Sequence, residues 1–295
     1  MVTEAGKRVQ EFYNKTPFPD YELERFKTKE DLRIAAYPFA EILDRSIPEN
    51  ASIIDVGTGT GQLSAFLSLR RKCVWGIDFS DGSLSKARKL KEQLKLKSWT
   101  LKKVDLLDTE QIEAIGRKFD YVLCMGVLHH TGYTHQGFEN ILRLLKPGGY
   151  IGVGLYNTYG RIPLQIRKFL AKTIFKNNNI LNNTIKDWFI RMQIGNIEDK
   201  ERARGWWSDQ YLHPYETTHS VGEVLKWFKG NQIDFYQTVP SSTLFDDTSL
   251  ETAGVWNTTS QKYPSFLARI CKQIAWIWQT HQEGGYWITF GKKKI

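Results

Sequence analysis

Between residues 51 and 157, short apolar runs and helix-like stretches alternate, and this alternation constrains the fold more than any other feature of the chain. The runs "ASIIDVG" (51–57), "CVWGIDF" (73–79), "WTLKKVDL" (99–106), "FDYVLCMG" (119–126) and "YIGVGLYN" (150–157) have the length and apolar content of buried strands. Between them lie "GQLSAFLSLRR", "SDGSLSKARKLKEQLKL", "DTEQIEAIG" and "GFENILRLLKPGG". In the second, Ser80 is placed to cap a helix whose Leu84, Ala87, Leu90 and Leu94 recur at helical spacing. The fourth stops at Lys146-Pro147-Gly148-Gly149, where a proline and paired glycines end helices. Strand alternating with helix predicts a doubly wound α/β fold, a mostly parallel sheet with helices on both faces.

The rhythm breaks after residue 157. Residues 158–205 are basic, Asn-rich in "KNNNILNNT", and without a strand pattern. It resumes with helix-like "SVGEVLKWFKG", then strand-like "IDFYQTVP" (233–240) and "GYWITFGKK" (285–293). The expected layout is an N-terminal extension or cap (1–48), an α/β core (49–157), a helical lid insertion (158–220), a return to the core (221–240), a second insertion (241–284), and a final strand with a basic tail (285–295).

The formal net charge is +9, from 41 Lys and Arg against 32 Asp and Glu. A basic balance can serve nucleic acid, but the cations are scattered and the tight run Lys292-Lys293-Lys294 is a tail, so nucleic acid is not the expected partner. Cys73, Cys124 and Cys271 are far apart and fit neither a disulfide framework nor zinc spacing. The stretch "MVTEAGKRVQEFY" lacks the apolar core of a signal peptide, and no run reaches the roughly 18 apolar residues of a membrane span, so a cytoplasmic location is expected. No sequence feature sets an oligomeric state.

Function is concentrated in "IIDVGTGTGQLSAFL", a strand, a glycine-rich turn and a helix. Gly57, Gly59 and Gly61 allow a tight turn and close approach of a ligand to backbone. Asp78 closes the next strand, where an acid can accept hydrogen bonds from ribose hydroxyls. A dinucleotide fingerprint would place glycine at position 62, where this chain has Gln62, which disfavours a nicotinamide dehydrogenase. The segments "DVGTGTG", "GIDFS", "VDLLD", "FDYVLCMGVLHHT" and "LKPGGYIGV", in that order, together resemble the class I S-adenosylmethionine-dependent methyltransferases. The resemblance covers roughly residues 50–156, and the terminal "GYWITFGKK" suits that family's antiparallel last strand.

What the resemblance implies can be carried over residue by residue. The cofactor is S-adenosyl-L-methionine and its product S-adenosyl-L-homocysteine. The loop Gly57–Thr58–Gly59–Thr60–Gly61 lies under the methionine part and ribose, with Asp55 ordering the loop or its waters. Asp78 holds the ribose hydroxyls, Phe79 packs on adenine, Asp105 reaches the adenine amino group and the Leu106 amide the ring edge. Backbone around Cys124–Val127, including Met125, faces the methionine end. Asp105 also has a plain alternative as a helix cap.

Methyl transfer from a sulfonium is an in-line displacement, and holding the partners in line can contribute roughly 7–11 kcal/mol. A base is needed only where the acceptor must shed a proton early. His129 and His130 follow the fourth strand at the methyl end and are read either as proton-transfer groups or as shaping the cofactor site. Asp209, His213 and Glu216 in "WWSDQYLHPYETTHS" have metal-like spacing, but Pro214 pushes His213 out of helical conformation and Ser220 with Glu223 reads as a capping box, so no metal is expected. Trp207, Asp209, Tyr211, His213 and Glu216 are expected to line or gate the acceptor pocket, or else to tie the insertion down by hydrogen bonds. "DQYLHPYE…HSVGEVLKWF" also resembles a segment of uncharacterised bacterial members of the family. The extension "EFYNKTPFPDYELERF" (11–26) is consistent with a cap over the cofactor. "SFLARICKQIAWIWQ" carries Phe266, Ile270, Ile274 and Ile277 on one helical face, for burial or peripheral membrane contact, and "PLQIRKFLAKTIF" permits the same pair of readings. The expected acceptor is a small or amphiphilic organic molecule; RNA, or a non-catalytic scaffold role, is the alternative.

Overall fold

The computed structural model describes residues 4–174, 207–244, 254–256, 263–280 and 284–295. The expected insertions therefore lie partly outside the described residues. Seven strands form one sheet: β1 (Ser52–Val56), β2 (Cys73–Asp78), β3 (Trp99–Lys103), β4 (Phe119–Met125), β5 (Leu145–Tyr156), β6 (Ile233–Val239) and β7 (Tyr286–Lys293). Their order is β3-β2-β1-β4-β5-β7-β6, with β7 antiparallel to both neighbours and the other pairings parallel. The order reverses between β1 and β4, so the crevice outside their carboxyl ends is where such a sheet binds ligands.

Parallel strands must be covered on both faces, and alternating side chains here feed two apolar layers. Ile54, Val122 and Cys124 belong to the layer containing Phe138, Ile141 and Phe228. Ile53, Tyr121 and Leu123 belong to the layer containing Leu43, Leu67 and Leu90. Each such fully buried chain stabilises by about 1.5–3 kcal/mol.

The helices on the amino-terminal side are α1 (Glu4–Lys15), α2 (Lys29–Ile34), α3 (Pro38–Ser46), α4 (Gln62–Leu67) and α5 (Asp81–Gln93). Ser80 caps α5, its hydroxyl accepting from the Ser83 amide at 3.2 Å. Next come α6 (Thr109–Glu113), α7 (Thr134–Arg143), α8 (Ile162–Ile174), α9 (Val221–Gly230) and α10 (Phe266–Gln279).

Three local expectations change. Lys146-Pro147-Gly148-Gly149 does not end a helix: α7 stops at Arg143, and the four residues form a bulge in β5 opposite Asp120, with Gly148 at φ 71°. The capping box at α9 is half made. The Ser220 hydroxyl accepts from the Glu223 amide at 3.2 Å, but the Glu223 carboxylate turns to His219 Nδ1 at 3.0 Å. In α10 the buried side chains are Ala268, Gln273 and Trp276, while Phe266 and Ile274 are exposed. Gln273 is drawn inside because its Oε1 accepts from Asn157 Nδ2 and from the Val221 amide, both at 2.8 Å.

Candidate active site

The loop from β1 to α4 is held by its own backbone. Gly57, Gly59 and Gly61 sit at φ 71°, 57° and 83°, in the left-handed region. Every amide in it donates within the protein. Gly57 and Thr58 donate to the Ile77 carbonyl at 2.7 and 2.9 Å, Thr60 to the Phe18 carbonyl at 3.3 Å, and Gly61 to the Thr58 carbonyl at 2.9 Å. The Gly59 amide donates to Asp78 Oδ2 at 2.8 Å. A pyrophosphate needs such amides free, so this loop fits a cofactor without phosphate. A Cβ on Gly59 would lie 2.3 Å from the Phe18 carbonyl oxygen, and one on Gly61 2.3 Å from Trp99. Packing by the protein itself therefore demands these two glycines.

Asp78 is buried at the carboxyl end of β2, its other oxygen accepting from the Ser80 amide at 2.8 Å. A carboxylate oxygen has two lone pairs, so each Asp78 oxygen can accept a further hydrogen bond from a ligand. Burial raises its pKa above the ordinary carboxylate value. Asp55 lies below the loop, where Thr58 Oγ1 donates to it at 2.7 Å. Burial pushes Asp55 up to about 6, against the opposing pull of its Thr58 and Ser64 hydrogen bonds.

Asp105 does not cap α6; Asp108 does, accepting from the Gln111 amide at 3.1 Å. Asp105 Oδ1 accepts from the Leu107 amide at 2.9 Å, which turns the chain so that half-buried Leu106 and Asp105 border the crevice past β3. Phe79, also half-buried, has its carbonyl held by Gln10 Nε2 at 2.8 Å. At the end of β4 burial relaxes over Met125, Gly126 and Val127. A Cβ on Gly126 would meet nothing closer than Tyr286 at 3.8 Å, so there is room for a ligand at the methyl end.

Beyond that point buried polar and aromatic side chains pack into one cluster, the walls of a candidate acceptor chamber. His129 packs on Tyr156 with ring centroids 4.0 Å apart and on His130 at 4.1 Å; His130 in turn lies 3.7 Å from His213. The segment around Glu216 is strapped to β4 and β5. The Thr217 amide donates to the His129 carbonyl at 2.8 Å, the His219 amide to the Tyr156 carbonyl at 2.8 Å, and His130 Nδ1 pairs with the Tyr215 carbonyl at 2.9 Å. Ser208–Leu212 forms one wide helical turn, which buries Asp209, Gln210 and Tyr211. Tyr13 of α1 donates to Asp209 Oδ1 at 2.9 Å, and Gln210 Nε2 donates to Asp209 Oδ2 at 2.9 Å and to the Tyr156 hydroxyl at 2.7 Å. Trp207 stacks on Tyr211 at 4.0 Å with 9° between planes.

Arg161 is fully buried beneath the chamber, its guanidinium 3.5 Å from the Tyr156 ring centroid. It donates to both oxygens of Glu216 (Nε at 3.3 Å, Nη2 at 2.5 Å) and to the Gly284 carbonyl at 2.7 Å. Burial alone would raise the Glu216 carboxyl, but Arg161 and Lys168 outweigh it and hold Glu216 at about 2. Glu216 thus pairs with cations and is taken out of metal chemistry. Among the described residues no three His, Cys, Asp or Glu side chains converge as a metal site.

The histidines are shifted the other way. Burial, then the nearby His130 and Arg161, hold His129 well below 6.5, and burial pushes His130 to about 4 and His213 to about 3. Neither ring nitrogen of His129, nor His213 Nε2, has a hydrogen-bond partner within the protein. Tyr13 and Tyr156 are raised by burial and then by Asp209, so both phenols stay protonated and donate.

The comparisons with known proteins follow this geometry. The profile of a family described as a methyltransferase domain matches residues 47–218, more than half of the chain. This chain belongs to that family and carries a class I S-adenosylmethionine-dependent methyltransferase domain. An uncharacterized protein of Synechococcus sp. is 23% identical over 199 residues, covering 62% of this chain and 47% of that one. A ubiquinone biosynthesis O-methyltransferase of Nitrosomonas europaea is 34% identical over 113 residues, 38% of this chain and 45% of its own. The matched stretch spans less than half the length of either curated relative. PKMT2 from Rickettsia typhi shares the fold, with a TM-score of 0.58 at 18% identity over 93% of this chain and 54% of that one. No helix among the described residues is long and apolar enough to cross a membrane.

Of the seven residues that the sequence nominates for proton transfer or the acceptor pocket, His129, His130 and His213 meet in the buried cluster, Asp209 joins it through Tyr13 and Gln210, Glu216 is tied to Arg161, and Trp207 stacks on Tyr211. Sequence reasoning missed Tyr13, Tyr156, Gln210, Arg161 and Lys168. The basic character of residues 158–205 was the visible signal for the two cations; nothing local marks the others, whose importance comes from distant partners.

Proposed function

We propose that the chain methylates a small or amphiphilic organic acceptor, held in the chamber between α1, the end of β4 and the Ser208–Leu212 turn. When bound, S-adenosylmethionine would supply an electrophilic methyl group for direct transfer to the acceptor's lone pair, leaving S-adenosylhomocysteine. Asp78 and Asp105 hold the nucleoside, Phe79 and the Leu106 amide flank the adenine, and Gly57–Gly61 with Asp55 set the floor. Met125 and Gly126 leave the methyl end open toward His129. The observation that carries this reading is the unpartnered, neutral His129 imidazole, fully buried beside Tyr156, where β4 opens.

A base whose conjugate acid is this unstable accepts protons poorly at neutral pH. His129 and His130 are therefore assigned to orienting the acceptor, His129 through one N–H and one lone pair. Asp209, fixed by Tyr13 and Gln210, and His213 form the opposite wall. In this reading Glu216 ties the segment down, while Asp209 and His213 face the acceptor. Of the described residues, 4–48 act as the cap, and 158–174 with 207–220 as the lid.

Asp209→Asn tests this. Incubated with methyl-labelled S-adenosylmethionine and extract from the source cells, the variant should form at least tenfold less labelled small-molecule product, with S-adenosylhomocysteine affinity within about threefold of wild type. Product formation equal to wild type would remove Asp209 from the chamber wall.

A further inference from the structure

Arg167 on α8 is the one chamber-side cation for which the described residues offer no counter-charge. Its Nε and Nη2 are both buried, and neither has a hydrogen-bond partner within the protein. These two nitrogens form one edge of the guanidinium, the edge that takes a carboxylate or phosphate with two parallel N–H···O bonds. The neighbouring acids are already engaged. Glu216 is shared by Arg161 and by Lys168 at 3.0 Å, and Asp209 accepts from Tyr13 and Gln210. Among the described residues, Arg161 and Lys168 pair with Glu216, and no carboxylate acts on Arg167. Arginine does not shed its proton in proteins, and a buried charge without a partner is strongly unfavourable. Burial lowers the proton affinity of Arg167, opposed by Tyr211, with a smaller lowering from Arg161. Tyr211, with Trp207 stacked on it, places an aromatic wall beside the unmatched guanidinium.

We infer that Arg167 is an acceptor-recognition residue, and that the methyl acceptor carries an oxyanion, a carboxylate or a phosphate, bound side-on by its Nε/Nη2 edge. This rests on the chamber reading above. Arg167 interacts with Tyr211 and Arg161, whereas His129 packs on Tyr156 and His130, so the oxyanion is assigned to a part of the acceptor other than the methylated atom. Its binding energy anchors the molecule while the reacting end is aligned.

The test uses the full chain saturated with S-adenosylhomocysteine, titrated calorimetrically with benzoate, phenyl phosphate and the neutral benzamide. Wild type should bind at least one of the two anions tenfold or more tightly than benzamide, and the preferred anion identifies the acceptor group. Arg167→Met should abolish that preference while S-adenosylhomocysteine affinity stays unchanged. Arg167→Lys, which keeps the charge and loses the fork, should retain phenyl phosphate binding within about fivefold but lose more for benzoate. It also serves as the readable variant if the methionine protein does not fold. Anions binding no better than benzamide, or equally well to Arg167→Met, would overturn the assignment. Failure of wild type to bind S-adenosylhomocysteine would instead overturn the methyltransferase reading beneath it, a distinct result in the same experiment.

Discussion

At the residue scale the site is defined by which polar groups are already satisfied and which are not. Asp78 is held by two backbone amides yet keeps capacity for two more donors, so Asp78→Asn removes charge and acceptor capacity without changing shape. It should weaken S-adenosylhomocysteine at least tenfold by calorimetry; affinity within twofold of wild type would sink the ribose assignment. Arg161 makes the opposite case, a side chain whose donors are spent on the protein. Removing one partner of a buried ion pair costs about 3–5 kcal/mol, so Arg161→Met should lower the urea unfolding free energy by that amount. A loss under 1 kcal/mol would mean Glu216 and Lys168 carry the segment without it. The residues that sequence reasoning found are those with a local signature: the glycines, Asp55 before them, Asp78 at a strand end, the paired histidines. Tyr13, Tyr156 and Gln210 escaped because a tyrosine or glutamine becomes special only through partners 54 to 196 positions away.

At the element scale, α1 touches both halves of the site. Gln10 and Asn14 bind the chain just after Asp78, with Asn14 Oδ1 accepting from Ser80 Oγ at 3.0 Å and the Gly82 amide at 3.2 Å. From the same turn, Tyr13 reaches Asp209, and Phe12 packs edge-on to His213 at 5.2 Å. A helix fastened at both ends of the crevice should slow ligand exchange. Gln10→Ala combined with Asn14→Ala should raise the dissociation rate of S-adenosylhomocysteine at least fivefold in stopped-flow competition, and an unchanged rate would reduce α1 to packing. The strands were legible because apolar runs bounded by glycine and charge have one economical use. The buried face of α10 was not, since a hydrogen bond from Asn157 decides that Gln273 goes in while Ile274 stays out.

At the scale of the whole molecule, the chamber makes stability depend on pH. The folded-state values of His129, His130 and His213 all lie below 6.5, so as pH falls the unfolded chain takes up protons first. Stability should be flat above pH 7 with respect to these groups and fall from 6.5 toward about 4, the value for His130. Glu216, held at about 2 in the fold against an ordinary 4.5, adds its own loss only below 4.5. Urea midpoints measured from pH 8 to 4 check this, and His130→Asn, which keeps a donor for the Tyr215 carbonyl, should flatten the slope between 6.5 and 4.5. The α/β class was readable from residues 51–157 because alternation over that length is a long-range pattern. The charge balance of the chamber was not, because α1, α8 and the Ser208–Leu212 turn meet only in the folded molecule. The central claim, that this charged chamber takes a small organic acceptor, is tested most directly by methyl-label transfer into extract from the source cells, with products separated into RNA, protein, organic-soluble and water-soluble small-molecule pools. The account predicts label in a small-molecule pool, on a compound bearing an acidic group; label confined to RNA or protein would contradict it.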